Sequence, residues 1–168
     1  MAGGESESRA GRIIMPLKKE CHMAQKLQDL TENDLRALME TALNREPELA
    51  LRGFGSGWSS AADPAEWPPI RDAERAQMLS AAGLAAFERI LTWPGWTEFR
   101  RKTTNYETSI VVLDTDALAG KVSRGYLIAA AIAHGVPYRK VGGTSRDAHL
   151  GLKFAARASL RAWLHGGR

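Results

Sequence analysis

Two aspartates lie where a strand would hold them in position for chemistry. Asp114 and Asp116 directly follow the apolar, β-branched run 108–113, which predicts a strand. The end of a strand holds carboxylates rigidly, as the binding of Mg²⁺ requires. Asp114 is also a preferred N-cap residue, and a helix over 117–122 would begin just after it. The pair predicts either a metal-dependent site or a helix cap, and the helix cap is favoured.

The same segment, SIVVLDTDAL over 109–118, resembles the opening motif of two enzyme families. One is the haloacid-dehalogenase-like phosphatases, in which an aspartate nucleophile and a second acid follow such a strand. The other is the PIN-domain nucleases, whose metal-binding aspartate follows the same kind of run. Both folds take further acids from a long downstream chain, whereas a single acid, Asp147, follows Asp116 here. This scarcity favours a non-catalytic protein, and we expect no catalytic residue, metal or cofactor.

Basic residues are concentrated in the last third of the chain. Residues 121–168 contain nine Lys or Arg and one acid, a net charge of +8, whereas the first 120 residues have a net charge of −4. A basic region attracts polyanions through long-range Coulomb forces and counterion release. The sequence therefore predicts a small accessory or regulatory protein that binds nucleic acid, either DNA or RNA. The predicted phosphate contacts are Arg139, Lys140, Arg146, Lys153, Arg157 and Arg161.

The same basic face would also suit an acidic protein partner. Trp58 and Trp67 lie in a stretch rich in Gly, Ser and Pro, residues 53–70, which predicts an irregular loop. Aromatic side chains in such a loop can anchor a partner, so the alternative prediction is a protein-binding inhibitor or adaptor. The competing interpretation of these tryptophans, together with Trp93 and Trp96, is burial in the core.

Residues 131–141 resemble part of a helix-turn-helix. The matching positions are Ala131, Gly135, Val136 and Val141. The two cations at 139–140 would then lie on a recognition helix in the major groove, but Gly142-Gly143 would end that helix after about one turn. A helix followed by a β-hairpin over about 137–154 accounts for these glycines and is the structure that we predict.

Hydrophobic periodicity and capping residues predict the elements that position these side chains. Thr31 and Asp34 are typical of a capping box and predict a helix over about 32–44. The remaining pattern predicts a short turn over 48–52 and further helices over 71–93 (broken near Gly83), 124–134 (ended by Gly135) and 154–165. Adding the strand 108–113 and the hairpin 137–154 gives an α+β fold that is predominantly helical, with a small antiparallel sheet.

Residues 1–23 lack periodicity and predict a disordered tail before a single globular domain over 24–168. No run approaches the ~18 apolar residues that a membrane span requires, and no apolar block is typical of a signal peptide. The single cysteine, Cys21, excludes a disulfide within this chain. We therefore expect a cytoplasmic protein that has no membrane contact.

Overall fold

The computed structural model describes residues 29–55, 65, 67–103, 110–111, 122–141 and 146–166. The predicted tail, Trp58, Asp114 and Asp116 lie outside these residues. Within them the elements are α1 (Glu32–Arg45), β1 (Leu49–Ala50), β2 (Gly53–Phe54), α2 (Trp67–Met78), α3 (Ala81–Leu91), α4 (Gly95–Glu98), β3 (Ile110–Val111), α5 (Arg124–Ala133), β4 (Tyr138–Lys140), β5 (Ala148–Leu150) and α6 (Ala156–Leu164). The predicted fold class, α+β and mostly helical, is confirmed.

The capping box predicted for α1 is present. The Thr31 hydroxyl accepts a hydrogen bond from the Asp34 backbone N–H at 3.2 Å, and the Thr31 N–H donates to the Asp34 carboxylate at 2.9 Å. The Thr31 hydroxyl also donates to the Asp34 carboxylate at 2.6 Å. This bond, and then the bond from the Thr31 N–H, lower the pKa of Asp34, because they stabilise its ionised form. The reciprocal bonds satisfy two donors that a helix start leaves unpaired, so α1 begins where the sequence predicts.

A two-stranded hairpin replaces the turn predicted over 48–52. β1 and β2 pair antiparallel, with Leu49 opposite Phe54 and Ala50 opposite Gly53. Gly53 has a φ of +105°, and a Cβ there would lie 2.2 Å from the carbonyl oxygen of Arg146. Only glycine fits this position. Strands of two residues are too short to show the alternating pattern that predicts a strand.

The predicted loop 53–70 is shorter than expected, because β2 occupies its start and α2 begins at Trp67. Pro68 and Pro69 lie in the first turn of α2, where a missing backbone N–H costs nothing. The break between α2 and α3 falls at 79–80 rather than at Gly83. Ser80 caps α3 by accepting a hydrogen bond from the Gly83 N–H at 3.1 Å.

The predicted antiparallel sheet is confirmed. Its strand order is β3-β5-β4, and the β4–β5 hairpin pairs Tyr138 with Leu150 and Lys140 with Ala148. Residues 138–140 are therefore a strand, so the helix-turn-helix interpretation is wrong. Gly135, with a φ of +63°, ends α5 as predicted, since a positive φ stops helix propagation.

The core lies around α5, which is buried over almost its whole length. α5 packs against α1 and α3, and the indoles of Trp93 and Trp96 meet edge to face with their ring centroids 5.3 Å apart. Trp93 is 2% exposed and Trp96 is 1% exposed. For these two tryptophans the expectation of burial in the core is confirmed.

Candidate nucleic-acid interface

The six predicted phosphate contacts lie in three places. Arg139 and Lys140 are on β4, and Arg146 precedes β5. Lys153 lies just before α6, and Arg157 and Arg161 lie on it. Arg139, Lys153 and Arg161 are exposed, and Arg146 and Arg157 are half-buried. Each place has different neighbours.

Lys140 belongs to a set of ion pairs that we call the β4 ion cluster, formed by Glu46, Glu48 and Lys140. The Lys140 ammonium lies 2.9 Å from Glu46 Oε2 and 3.1 Å from Glu48 Oε2. It also lies 4.7 Å from the ring centroid of Phe54, a cation–π contact. Two carboxylates and a π-face surround this one cation, so its charge is compensated within the chain.

A cavity of about 510 Å³ opens beside the β4 ion cluster, and Tyr138 lines it together with Glu46 and Lys140. The Tyr138 hydroxyl donates a hydrogen bond to Glu46 Oε1. Burial, and then this bond, raise the pKa of Tyr138. Burial opposes ionisation of Glu46, but the bonds from Tyr138 and Lys140 outweigh it and lower the Glu46 pKa. Both groups are held in their ordinary protonation states at neutral pH, so this pocket is poorly suited to acid–base chemistry.

Burial also disfavours the charged form of Lys140, but its bonds to Glu46 and Glu48 prevail and raise its pKa. Glu46 and Lys140 therefore both keep their charges near neutral pH. The cluster joins the end of α1 to β4, which lies 92 residues further along the chain. Its geometry supports a structural role for Lys140.

Arg146 lies next to two buried carboxylates, Glu74 at 8% exposure and Asp147 at 2%. Arg52 Nε is 3.3 Å from Glu74 Oε1, and Arg124 Nε is 3.0 Å from Asp147 Oδ1. Burial is the largest influence on Arg146 and lowers its pKa, with Glu74 opposing and the neighbouring arginines adding to the effect. The single acid of the basic third, Asp147, is thus used inside the fold.

A short segment before β3 adds cations that the sequence analysis missed. Arg100 forms an antiparallel bridge with Leu152. The Arg101 N–H donates to the Gly151 carbonyl at 2.7 Å, and the Lys153 N–H donates to the Phe99 carbonyl at 2.8 Å. This pairing places residues 99–101 alongside residues 151–153, and Lys102 directly follows the paired residues. The basic run 100–102 is visible in the sequence, but the pairing of this segment with one about fifty residues away is not.

Arg100 is also tied to the end of α5, because its Nη2 donates to the Gly135 carbonyl at 2.7 Å. A carbonyl has no net charge, so this bond does not compensate the charge of the guanidinium. Phe99 stacks on Trp93 with the ring planes 15° apart, which attaches the segment to the core. Side-chain contacts therefore attach this segment both to the end of α5 and to the core.

α6 carries the last two cations and is docked on α3. Its buried stripe consists of Ala156, Leu160 and Leu164. The Trp163 indole N–H donates to the Arg89 carbonyl at 2.7 Å, and the Arg89 guanidinium donates to the Leu164 carbonyl. A cation at this end also complements the helix dipole. These contacts fix the orientation of α6 and of the arginines beside its buried stripe.

We call the resulting set of cations the basic strip. The paired segments lie in two stretches, residues 99–103 and 151–166, the second of which continues into α6. The two stretches contain six Lys or Arg and no Asp or Glu. The members of the strip are Arg100, Arg101, Lys102, Lys153, Arg157 and Arg161. Cations gathered on neighbouring segments raise the local potential and attract ions of the opposite sign. The structure thus joins three predicted residues to three that the sequence analysis did not include.

Trp67 packs on its own chain. It is half-buried at the start of α2, and a Cβ added at Gly55 would lie 2.1 Å from its indole ring. The lack of a side chain at Gly55 therefore makes room for the ring. Trp67 therefore packs against Gly55, directly after β2.

No family model, curated protein or solved structure matches the chain. Across the described ranges, every helix falls short of the length and apolar character that crossing a bilayer demands.

Proposed function

We propose that this chain is a non-catalytic nucleic-acid-binding protein, accessory or regulatory in role, that contacts phosphates through the basic strip. The observation that supports this most is the antiparallel pairing of residues 99–101 with 151–153. It joins two basic stretches that the sequence separates. Neither stretch contains an acid, so the field of one reinforces the field of the other.

The strip replaces part of the interface predicted from the sequence. Lys140 is compensated by Glu46 and Glu48, and Arg146 is half-buried beside Glu74. Both would contribute less to phosphate binding than Lys153 or Arg161, which are exposed and lie in a stretch without an acid. Cations of this kind bind phosphates without reading the bases, so the proposal includes no sequence specificity.

The first test is fluorescence anisotropy of labelled duplex DNA, single-stranded DNA and RNA against the purified protein. With six phosphate contacts, the logarithm of the binding constant should fall with the logarithm of salt concentration at a slope of about −4 for single strands. Affinity should then drop by roughly a hundredfold or more between about 50 and 200 mM salt. The order of the three probes identifies the preferred nucleic acid.

A slope near zero, or no binding of any probe at low salt, would overturn the proposal. The adaptor alternative predicts that second result together with capture of an acidic protein. It also predicts that Trp67→Ala abolishes capture, whereas the nucleic-acid proposal leaves binding of the oligonucleotides intact in this variant.

A further inference from the structure

Among the described residues, Phe154 is the large hydrophobic side chain that remains exposed, at 68%. Removing a phenyl ring from water lowers the free energy, but the fold leaves the Phe154 ring exposed to water. Phe154 directly follows Lys153 in the chain, between the paired segment and α6. An apolar ring is therefore presented within the basic strip.

The backbone on both sides of this ring is fixed by hydrogen bonds. The Lys153 N–H donates to the Phe99 carbonyl at 2.8 Å, and the Arg157 N–H donates to the Phe154 carbonyl at 3.2 Å. A further turn bond runs from the Ala156 N–H to the Lys153 carbonyl at 2.9 Å. The ring thus keeps only its own side-chain rotations, so ordering it on a ligand costs little entropy.

We infer that the basic strip binds single-stranded nucleic acid, with one unpaired base stacked on the Phe154 ring; this inference rests on the proposed function. An unpaired base offers a free π-face to an aromatic side chain, whereas the bases of a duplex already stack on one another. The cations on either side in sequence, at 153 and 157, would hold the flanking phosphates. Stacking on any base would give affinity without sequence preference.

The size of the apolar contact distinguishes this ligand from a protein. A stable protein interface buries about 800 Å² on each partner and has an apolar centre. The described surface offers one exposed ring at this place, which matches one base and is too small for such a centre. The surrounding cations match the phosphates that accompany each base.

The test uses the full chain, an oligothymidylate of about 15 nucleotides, which spans a typical single-stranded site, and an abasic oligonucleotide with the same number of phosphates. The wild-type protein should bind the oligothymidylate at least about 5-fold more tightly than the abasic chain, the effect of one stacked base. Phe154→Ala should remove that preference and leave the salt slope unchanged. Phe154→Tyr, which keeps the π-face, should retain the preference.

Phe154→Leu is the matched control, because it keeps an apolar side chain and loses the aromatic face. It should behave as Phe154→Ala does. A 2-aminopurine placed in the strand should be quenched by the wild-type protein and not by Phe154→Leu. Since the side chain is exposed, none of these variants should alter the unfolding midpoint in urea.

Equal binding of the two oligonucleotides, unchanged in Phe154→Ala, would overturn the stacking inference and leave the proposed function standing. Tighter binding of a duplex, or of polyglutamate at the same salt, would also overturn it. Failure of every nucleic-acid probe at low salt would overturn the proposed function itself.

Discussion

The β4 ion cluster and the basic strip both contain cations from the last third of the chain, but their surroundings differ. In the cluster, Glu46 and Glu48 bring carboxylates within 3.1 Å of the Lys140 ammonium. In the strip, a basic segment pairs with a basic segment, and neither contains an acid. The comparison shows that a net charge of +8 in the sequence is not a measure of the charge that a surface presents. Long-range pairing neutralises one part of it and concentrates another.

The largest expected effect is a loss of stability when a buried carboxylate that compensates an arginine is removed. Asp147→Ala removes a nearly fully buried carboxylate and leaves the Arg124 guanidinium, 28% exposed, without it. Breaking a buried ion pair in this way should lower the free energy of unfolding by about 3 kcal/mol. Urea denaturation followed by circular dichroism measures this loss.

Glu32→Ala is the control for that variant. Its carboxylate is 63% exposed and pairs with Arg36 on the surface of α1, so the loss should be below about 1 kcal/mol. Equal losses in the two variants would contradict the assignment of Asp147 as a structural acid. In the folded Asp147→Ala protein the strip keeps all its cations, and the salt slope of binding should stay the same.

A smaller effect on stability is expected from pH. The His134 ring stacks on Trp96 at 5.3 Å and bonds to the Leu91 carbonyl at 2.8 Å. Burial, aided by the charge of Arg100 and opposed by the bond to Leu91, lowers the pKa of His134 below its ordinary 6.5. As pH falls through 6.5, the unfolded chain takes up a proton that the folded protein resists, so stability is complete above 6.5 and declines below it.

His134→Gln removes this titration while offering an amide N–H to the same carbonyl. The difference in free energy of unfolding between the wild-type protein and this variant should therefore shrink as the pH is lowered from about 8 to 5.5. Parallel pH curves for the two proteins would show that His134 does not carry this dependence.

The sequence was sufficient for features that depend on neighbouring residues. The Thr31–Asp34 capping box, the apolar helix 124–133 and the antiparallel pairing of β4 with β5 all rest on local patterns. It was insufficient where a contact joins distant segments. The pairing of Lys140 with Glu48 spans 92 residues, and no local pattern predicts which acid meets which cation.

The same reason explains why half of the basic strip was missed. Residues 100–102 lie within the first 120 residues, whose net charge is −4. A count of charge along the sequence therefore separates them from the cations at 153–161. Gly83 gives a different lesson: its missing side chain permits close approach to the Gln77 and Met78 carbonyls rather than ending a helix. Glycine alone does not indicate which of its two uses applies.

The most direct test of the account is the salt dependence of single-stranded oligonucleotide binding in two variants that lose the same charge. Lys102→Gln/Arg161→Gln removes one exposed cation from each stretch of the basic strip. Arg36→Gln/Arg71→Gln removes two cations that Glu32 and Asp72 compensate on α1 and α2. Both changes lower the net charge by two.

The strip variant should flatten the log–log salt slope by about 1.4, since each lost phosphate contact contributes about 0.7. The control variant should keep the wild-type slope. An equal change in both variants would mean that net charge alone attracts the nucleic acid, and would contradict the assignment of the interface to the basic strip.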